Sequence, residues 1–247
     1  FRQKKDSLIA YNAQKINNND TSFFYGNDFT VCKCANQEEA AEHIRNIYLA
    51  QVEQYGVDRV QILSPFRSTG AASADQLNEV IRELVNPQTE EADLKVGSLY
   101  FRVGDKIMQN KNSTKASNGD IGFIRSFRHD ERDGMRISIQ FSPTRVVEYS
   151  MEEMGHVELA YATTVHKAQG SEFDVVIFPL LRSHARMLTR SLVYTAITRA
   201  KAKVILVGQI GMLYMAVHKD DTGKRNTQLG RRITLYVNTF KVQKRSA

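Results

Sequence analysis

Residues 164–174 read TVHKAQGSEFD, inside the longer stretch YATTVHKAQGSEFDVVI at 161–177. Thr163, Thr164, His166 and Lys167 pack four hydrogen-bond donors into five positions. Gln169-Gly170 then makes a tight turn, and Glu172 precedes a continuously apolar run, VVIFP at 175–179. Such a run suits a parallel strand buried on both faces. Short hydroxyl and imidazole donors, with backbone amides left open by a glycine, suit a nucleic-acid backbone. A carboxylate just after the turn can accept hydrogen bonds from sugar hydroxyls. A polar helix-to-strand connector has the same composition, so these residues alone leave both readings open.

Downstream, SLVYTAITRAKAK at 191–203 packs Leu192, Val193, Ala196 and Ile197 one way and gathers Arg199, Lys201 and Lys203 at a helix end. The helix macrodipole is a sufficient structural reason for cations there. The functional reading is that the planar fork of Arg199 reaches a nucleotide γ-phosphate, as an arginine finger does.

Around these two segments the chain alternates helices and strands. Apolar spacing and capping residues predict helices over 7–18, 36–56 and 74–87, the last stopped by Pro87. A helix near 184–200 follows the strand at 175–179. Strands are expected at 29–35, 60–65 and 203–208. Between about 97 and 158 the texture changes to short alternating segments separated by NGD and DG turns, which predicts a small antiparallel barrel. The expected architecture is α/β: a parallel-sheet domain from 1–96 and 159–247, with an inserted β-barrel at 97–158. HDERDG at 129–134 imitates a magnesium-binding carboxylate box but reads as a hairpin tip.

TVHKAQGSEFD followed by LVYTAITRAK resembles motifs V and VI of superfamily 1 helicases, with a strand between them in the expected place. The wording is similar to the RecD-like branch, related to the exodeoxyribonuclease V alpha subunit. VQILSPFRSTGAASADQLNEVIRELVNP at 60–87, FRVGDKIMQNKN with NGDIGFI in 101–124, and KRNTQLGRRI at 224–233 extend the likeness over nearly the whole chain. The resemblance implies a RecA-like second motor domain of the P-loop NTPase type, without the phosphate loop, carrying an SH3-like barrel. FRQ at 1–3 resembles the motif that opens that domain. Arg2 is then a second γ-phosphate contact beside Arg199, and Phe1 stacks on adenine, while Gln169, Gly170 and Glu172 lie on the nucleotide side and Glu172 holds the ribose. Thr163, Thr164, His166 and Lys167 line the DNA side.

The phosphate-loop pattern G-x-x-x-x-G-K-[ST] does not occur in these 247 residues. The resemblance therefore places the cradle for ATP, and the ligands of Mg2+, in an N-terminal motor domain of the same protein. It implies ATP-dependent 5′-to-3′ movement on single-stranded DNA, and a nuclease complex or a single-strand-binding protein as further partners. This chain alone is expected to lack ATPase activity. A DNA-binding module with a helicase-derived fold is the rival reading, and a subunit of a helicase–nuclease complex a second.

Composition agrees with a globular, anion-binding protein: 42% hydrophobic, 25% charged and a formal net charge of +7. Lys111 and Lys115 in the KNSTKASNGD loop, and Phe66 and Phe123, are further candidates for strand contact, though a solvated loop and core packing explain them as well. No apolar run reaches membrane-spanning length, and Cys32 and Cys34 at alternating positions read as reduced thiols with no metal-site spacing. A cytoplasmic protein without a bound metal of its own is expected.

Overall fold

The computed structural model describes residues 7–89, 93–132 and 134–219, together with 232–234 and 236. Phe1, Arg2 and Gln3 lie outside the described residues, as does most of the 224–233 stretch.

Two apolar strands, β2 (Val60–Ser64) and β11 (Phe173–Leu180), form the centre of a five-stranded parallel sheet. Its order is β1-β12-β11-β2-β10, where β1 is Phe29–Lys33, β10 is Ala162–Thr164 and β12 is Ala200–Gly208. Helices cover both faces, which is why the central strands carry no polar alternation. One face packs under α1 (Leu8–Asn17), α4 (Arg190–Ile197) and α5 (Ile210–His218). The other packs under α2 (Gln37–Tyr55) and α3 (Ala74–Val85). Helix starts follow the expected caps: the Ser7 and Asn36 side chains accept from the Ile9 and Glu39 amides.

Between α3 and β10 lies the antiparallel part. A hairpin of β3 (Leu94–Val96) and β4 (Leu99–Phe101) precedes a five-stranded sheet of order β8-β7-β6-β5-β9. Its members are β5 (Lys106–Gln109), β6 (Ile121–Asp130), β7 (Gly134–Ser142), β8 (Arg145–Ser150) and β9 (Val157–Leu159). It has a core of its own around Phe101, Ile124, Ile139 and Tyr149. The expected HDERDG hairpin tip is where β6 turns into β7.

Two expectations change. The helix predicted near 184–200 is a 3-10 turn at Arg182–His184 followed by the shorter α4. Lys201 and Lys203, expected at a helix end, stand on β12 instead. The Ala-Lys-Ala-Lys run has helical propensity, but parallel pairing with β11 overrides it, and β1 joins the other side only from Val204.

The GDK tripeptide at 104–106 joins the two parts. The buried Asp105 carboxylate accepts hydrogen bonds from the Arg102 amide, Asn86 Nδ2 and the Tyr161 hydroxyl, at 2.8, 2.9 and 3.0 Å. Lys106, fully buried on β5, donates to the Val57 and Val60 carbonyls at 2.8 and 2.9 Å, and its Nζ lies 5.8 Å from the Phe173 ring centroid. Burial pushes its ammonium down to about 7, against the opposing pull of Asp58. An unfolded lysine titrates near 10.4, so between those values the unfolded chain binds more protons. Stability therefore rises with pH from about 7 upward, and the penalty for burying the charge is fully present below about 7. Urea denaturation should show roughly 3 kcal/mol more gain between about pH 7 and 9.5 in the wild type than in Lys106→Met. Parallel curves would mean that Lys106 stays charged throughout.

Candidate nucleotide and nucleic-acid interface

The register of the parallel sheet builds the first half of the site. Phe173 of β11 sits opposite Ala200 of β12, so Glu172 and Arg199, one residue before each, come together at the amino edge. The Phe173 amide donates to the Arg199 carbonyl at 2.9 Å, which fixes that level. The half-buried guanidinium of Arg199 donates to the carbonyls of Ser171 and Thr195 at 3.3 and 3.4 Å. Among the described residues no carboxylate forms an ion pair with it. Two carbonyls orient the fork without neutralising it, leaving its charge available to an anion.

Glu172 is exposed and forms an ion pair with Lys201 at 3.1 Å. Any hydroxyl ligand for that carboxylate must share it with, or displace, the ammonium. Gln169 and Gly170 are exposed beside it. Gly170 has φ of 95°, the left-handed region where a side chain is disfavoured, and its turn faces open space.

The second half lies at the opposite edge. Strand β10 pairs with β2 so that Thr163 sits opposite Leu63 and Thr164 opposite Ser64. Residues 165–171 then cross one face of the sheet in tight turns, with Val165 and Ala168 buried in its core. One connector thus carries the DNA-side candidates at the carboxyl edge and the nucleotide-side candidates at the amino edge. Thr164 is half-buried, His166 exposed and Lys167 half-buried. Thr163 is 3% exposed, at the wall of the neighbouring cleft, and its hydroxyl accepts from Gln61 Nε2 inside the sheet. Strand alternation turns one of two adjacent threonines inward.

A cleft of about 640 Å³ opens beside Thr164 and Lys167, between α3, the β3–β4 hairpin and β9. It brings in residues not singled out from the sequence. Lys167 Nζ donates to Glu158 Oε1 at 2.5 Å, and Arg67 approaches Glu158 Oε2 at 3.5 Å. Arg67 and Glu158 are ninety-one positions apart, so no local pattern signals the pair.

Other candidates have structural partners. Phe66 packs on buried His184, with ring centroids 5.4 Å apart. Phe123 is half-buried, with the Arg125 guanidinium 6.0 Å from its ring centroid. Lys115 is tied to the Glu148 carbonyl and the Glu153 carboxylate, whereas Lys111 is exposed. Cys32 and Cys34 are free thiols, Cys32 lying 3.2 Å from His43 Nδ1. Among the described residues no group of three or more His, Cys, Asp or Glu is placed to hold a metal ion, and no helix is long and apolar enough to cross a membrane.

Residues 159–207 match the UvrD-like helicase C-terminal domain, and residues 77–141 match the ATP-dependent RecD-like DNA helicase SH3 domain. Over 191 residues the chain is 35% identical to the ATP-dependent RecD2 DNA helicase of Deinococcus radiodurans, covering 76% of this chain and 25% of that protein. It is 33% identical over 150 residues to the RecBCD enzyme subunit RecD of Mycolicibacterium smegmatis, covering 61% and 25%. The chain therefore spans about a quarter of the length of these curated relatives. Among solved structures, the Pif1 helicase from Candida albicans superposes with a TM-score of 0.51 at 16% identity, over 98% of this chain and 59% of that one, which shows a shared fold.

Proposed function

For a chain related to the RecD-like superfamily 1 DNA helicases, we propose that these 247 residues are the second motor domain, with its inserted SH3-like domain, of an ATP-dependent 5′-to-3′ DNA helicase. The observation that carries the reading is the guanidinium of Arg199, oriented by two carbonyls beside Glu172 at the amino edge and ion-paired with no carboxylate among the described residues. A first motor domain would carry both the phosphate loop that binds ATP and the separate carboxylates that hold Mg2+. Arg199, with Arg2 as its partner, is carried onto the γ-phosphate when the two domains close. Glu172 accepts from the ribose hydroxyls after releasing Lys201. The bound metal neutralises charge on the phosphates; the part of this chain is to orient a cation and a carboxylate.

Thr164, His166 and Lys167 contact the single strand. Because the connector 165–171 joins both edges, a change at the nucleotide reaches the DNA grip through one short segment. Partnership with a nuclease complex follows from the likeness to RecD. The rival reading, a binding module without motor work, leaves Arg199 and Glu172 without a task.

Backbone contacts release counterions, so single-strand affinity of the 247-residue chain should fall with salt. The expected log–log slope is about −0.7 per phosphate neutralised by a lysine or arginine, with Lys167 supplying one such unit and Thr164 and His166 only neutral hydrogen bonds. Base preference should be small. Lys167→Ala should reduce the slope by about 0.7. A fluorescence titration with no salt dependence would remove the electrostatic basis of the reading.

A further inference from the structure

Lys167, proposed above as a strand contact, is already occupied. Its ammonium donates at 2.5 Å to one oxygen of Glu158, and Arg67 reaches the other oxygen at 3.5 Å. The two cations come from different elements of the parallel-sheet domain. Arg67 follows β2, and Lys167 follows β10. The carboxylate comes from β9, the last strand of the inserted domain, where Glu158 pairs with Met108 of β5. A nearby NGD turn of the same domain approaches the connector too: a Cβ at Gly119 would lie 3.5 Å from the Lys167 carbonyl.

One anionic group with two oxygens, each held by a cation, is also how a backbone phosphate is bound. The Glu158 side chain is 16% exposed, while that of Arg67 is 63% exposed, and both line the open cleft. A phosphate entering the cleft can reach Arg67 directly, while Lys167, 28% exposed, has its ammonium engaged by Glu158. Asp75 lies 3.8 Å from Arg67 and is a looser second partner.

We propose that Glu158 is an internal stand-in for a nucleic-acid phosphate: it holds Lys167 and Arg67 until a single strand displaces it. The inserted domain then acts as a latch on the strand track, and Arg67 becomes a strand contact in its own right. This rests on the reading of Thr164, His166 and Lys167 as the DNA side. Displacement releases β9 from the connector, so strand binding loosens the inserted domain from the segment that also reaches the nucleotide edge.

Glu158→Gln keeps the shape and removes the charge. With a fluorescein-labelled oligothymidylate, the 247-residue Glu158→Gln chain should bind about five- to tenfold more tightly than wild type at moderate salt. The gain should disappear when Lys167→Ala and Arg67→Ala are added. A thermal melt of each variant controls for folding. A purely structural ion pair predicts lower stability and no gain in affinity. If Glu158→Gln binds no more tightly while Lys167→Ala/Arg67→Ala weakens the wild type, the latch is wrong and the DNA surface stands. If the double alanine variant binds as well as wild type, the DNA surface itself is misplaced and the latch falls with it.

Discussion

If Arg199 is the proposed γ-phosphate contact, Arg199→Lys in the full-length protein should lower ATP turnover about a thousandfold, the low end of what an arginine finger supplies, while single-strand affinity should stay close to wild type. The size follows from geometry. Arg199 is positioned by the Ser171 and Thr195 carbonyls, which take up part of its fork and aim the rest. A lysine places one compact charge on a flexible stem and cannot bond a carbonyl and two phosphate oxygens at fixed angles. Strand affinity is spared because Thr164, His166 and Lys167 follow from the carboxyl edge of the sheet and Arg199 sits at the amino edge. Steady-state turnover with saturating single strand, beside a binding titration, separates the two effects. Equal losses in both would point to misfolding, and unchanged turnover would remove Arg199 from the site.

Asp105→Ala should destabilise the chain by about 3 kcal/mol, because removing one member of a buried polar network strands the others. Without the carboxylate, the Tyr161 hydroxyl, Asn86 Nδ2 and the Arg102 amide lose an acceptor inside the protein. Arg82, 3.7 Å from the same group, loses its nearest buried anion. Burial raises the carboxyl pKa of Asp105 despite these donors, so removing it also relieves some desolvation, and the loss stays at the lower end of the range. Urea denaturation checks the value. A change under about 0.5 kcal/mol would show that the network is solvated rather than structural.

The parts of the fold legible in the sequence are those whose signal is local. The apolar runs of β2 and β11 announce burial on both faces, and Ser7, Asn36 and Gly56 mark helix ends by their own chemistry. Strand β10 is three residues long and exists only because β2 offers an edge, so no periodicity reveals it. The start of β12 looks helical, and only pairing with β11 makes it extended. The site divides in the same way. Glu172 is readable because it stands just before an apolar strand, and Arg199 because it closes the apolar helical run of its motif; the parallel pairing that brings them together is not visible in the sequence. The burial of Thr163 was not legible, because it depends on the short strand β10 that no periodicity reveals. Arg67 and Glu158 meet through the packing of the inserted sheet, which sequence order does not encode.

The central claim is that Arg199 meets the transferred phosphoryl group and not merely the bound nucleotide. Transition-state affinity tests it most directly, using ADP with aluminium fluoride as the mimic, in the intact protein and its Arg199→Ala variant. The account predicts nearly equal affinity for ADP alone and at least about a hundredfold weaker binding of the aluminium fluoride complex in the variant. Equal affinity of the two proteins for that complex would contradict it.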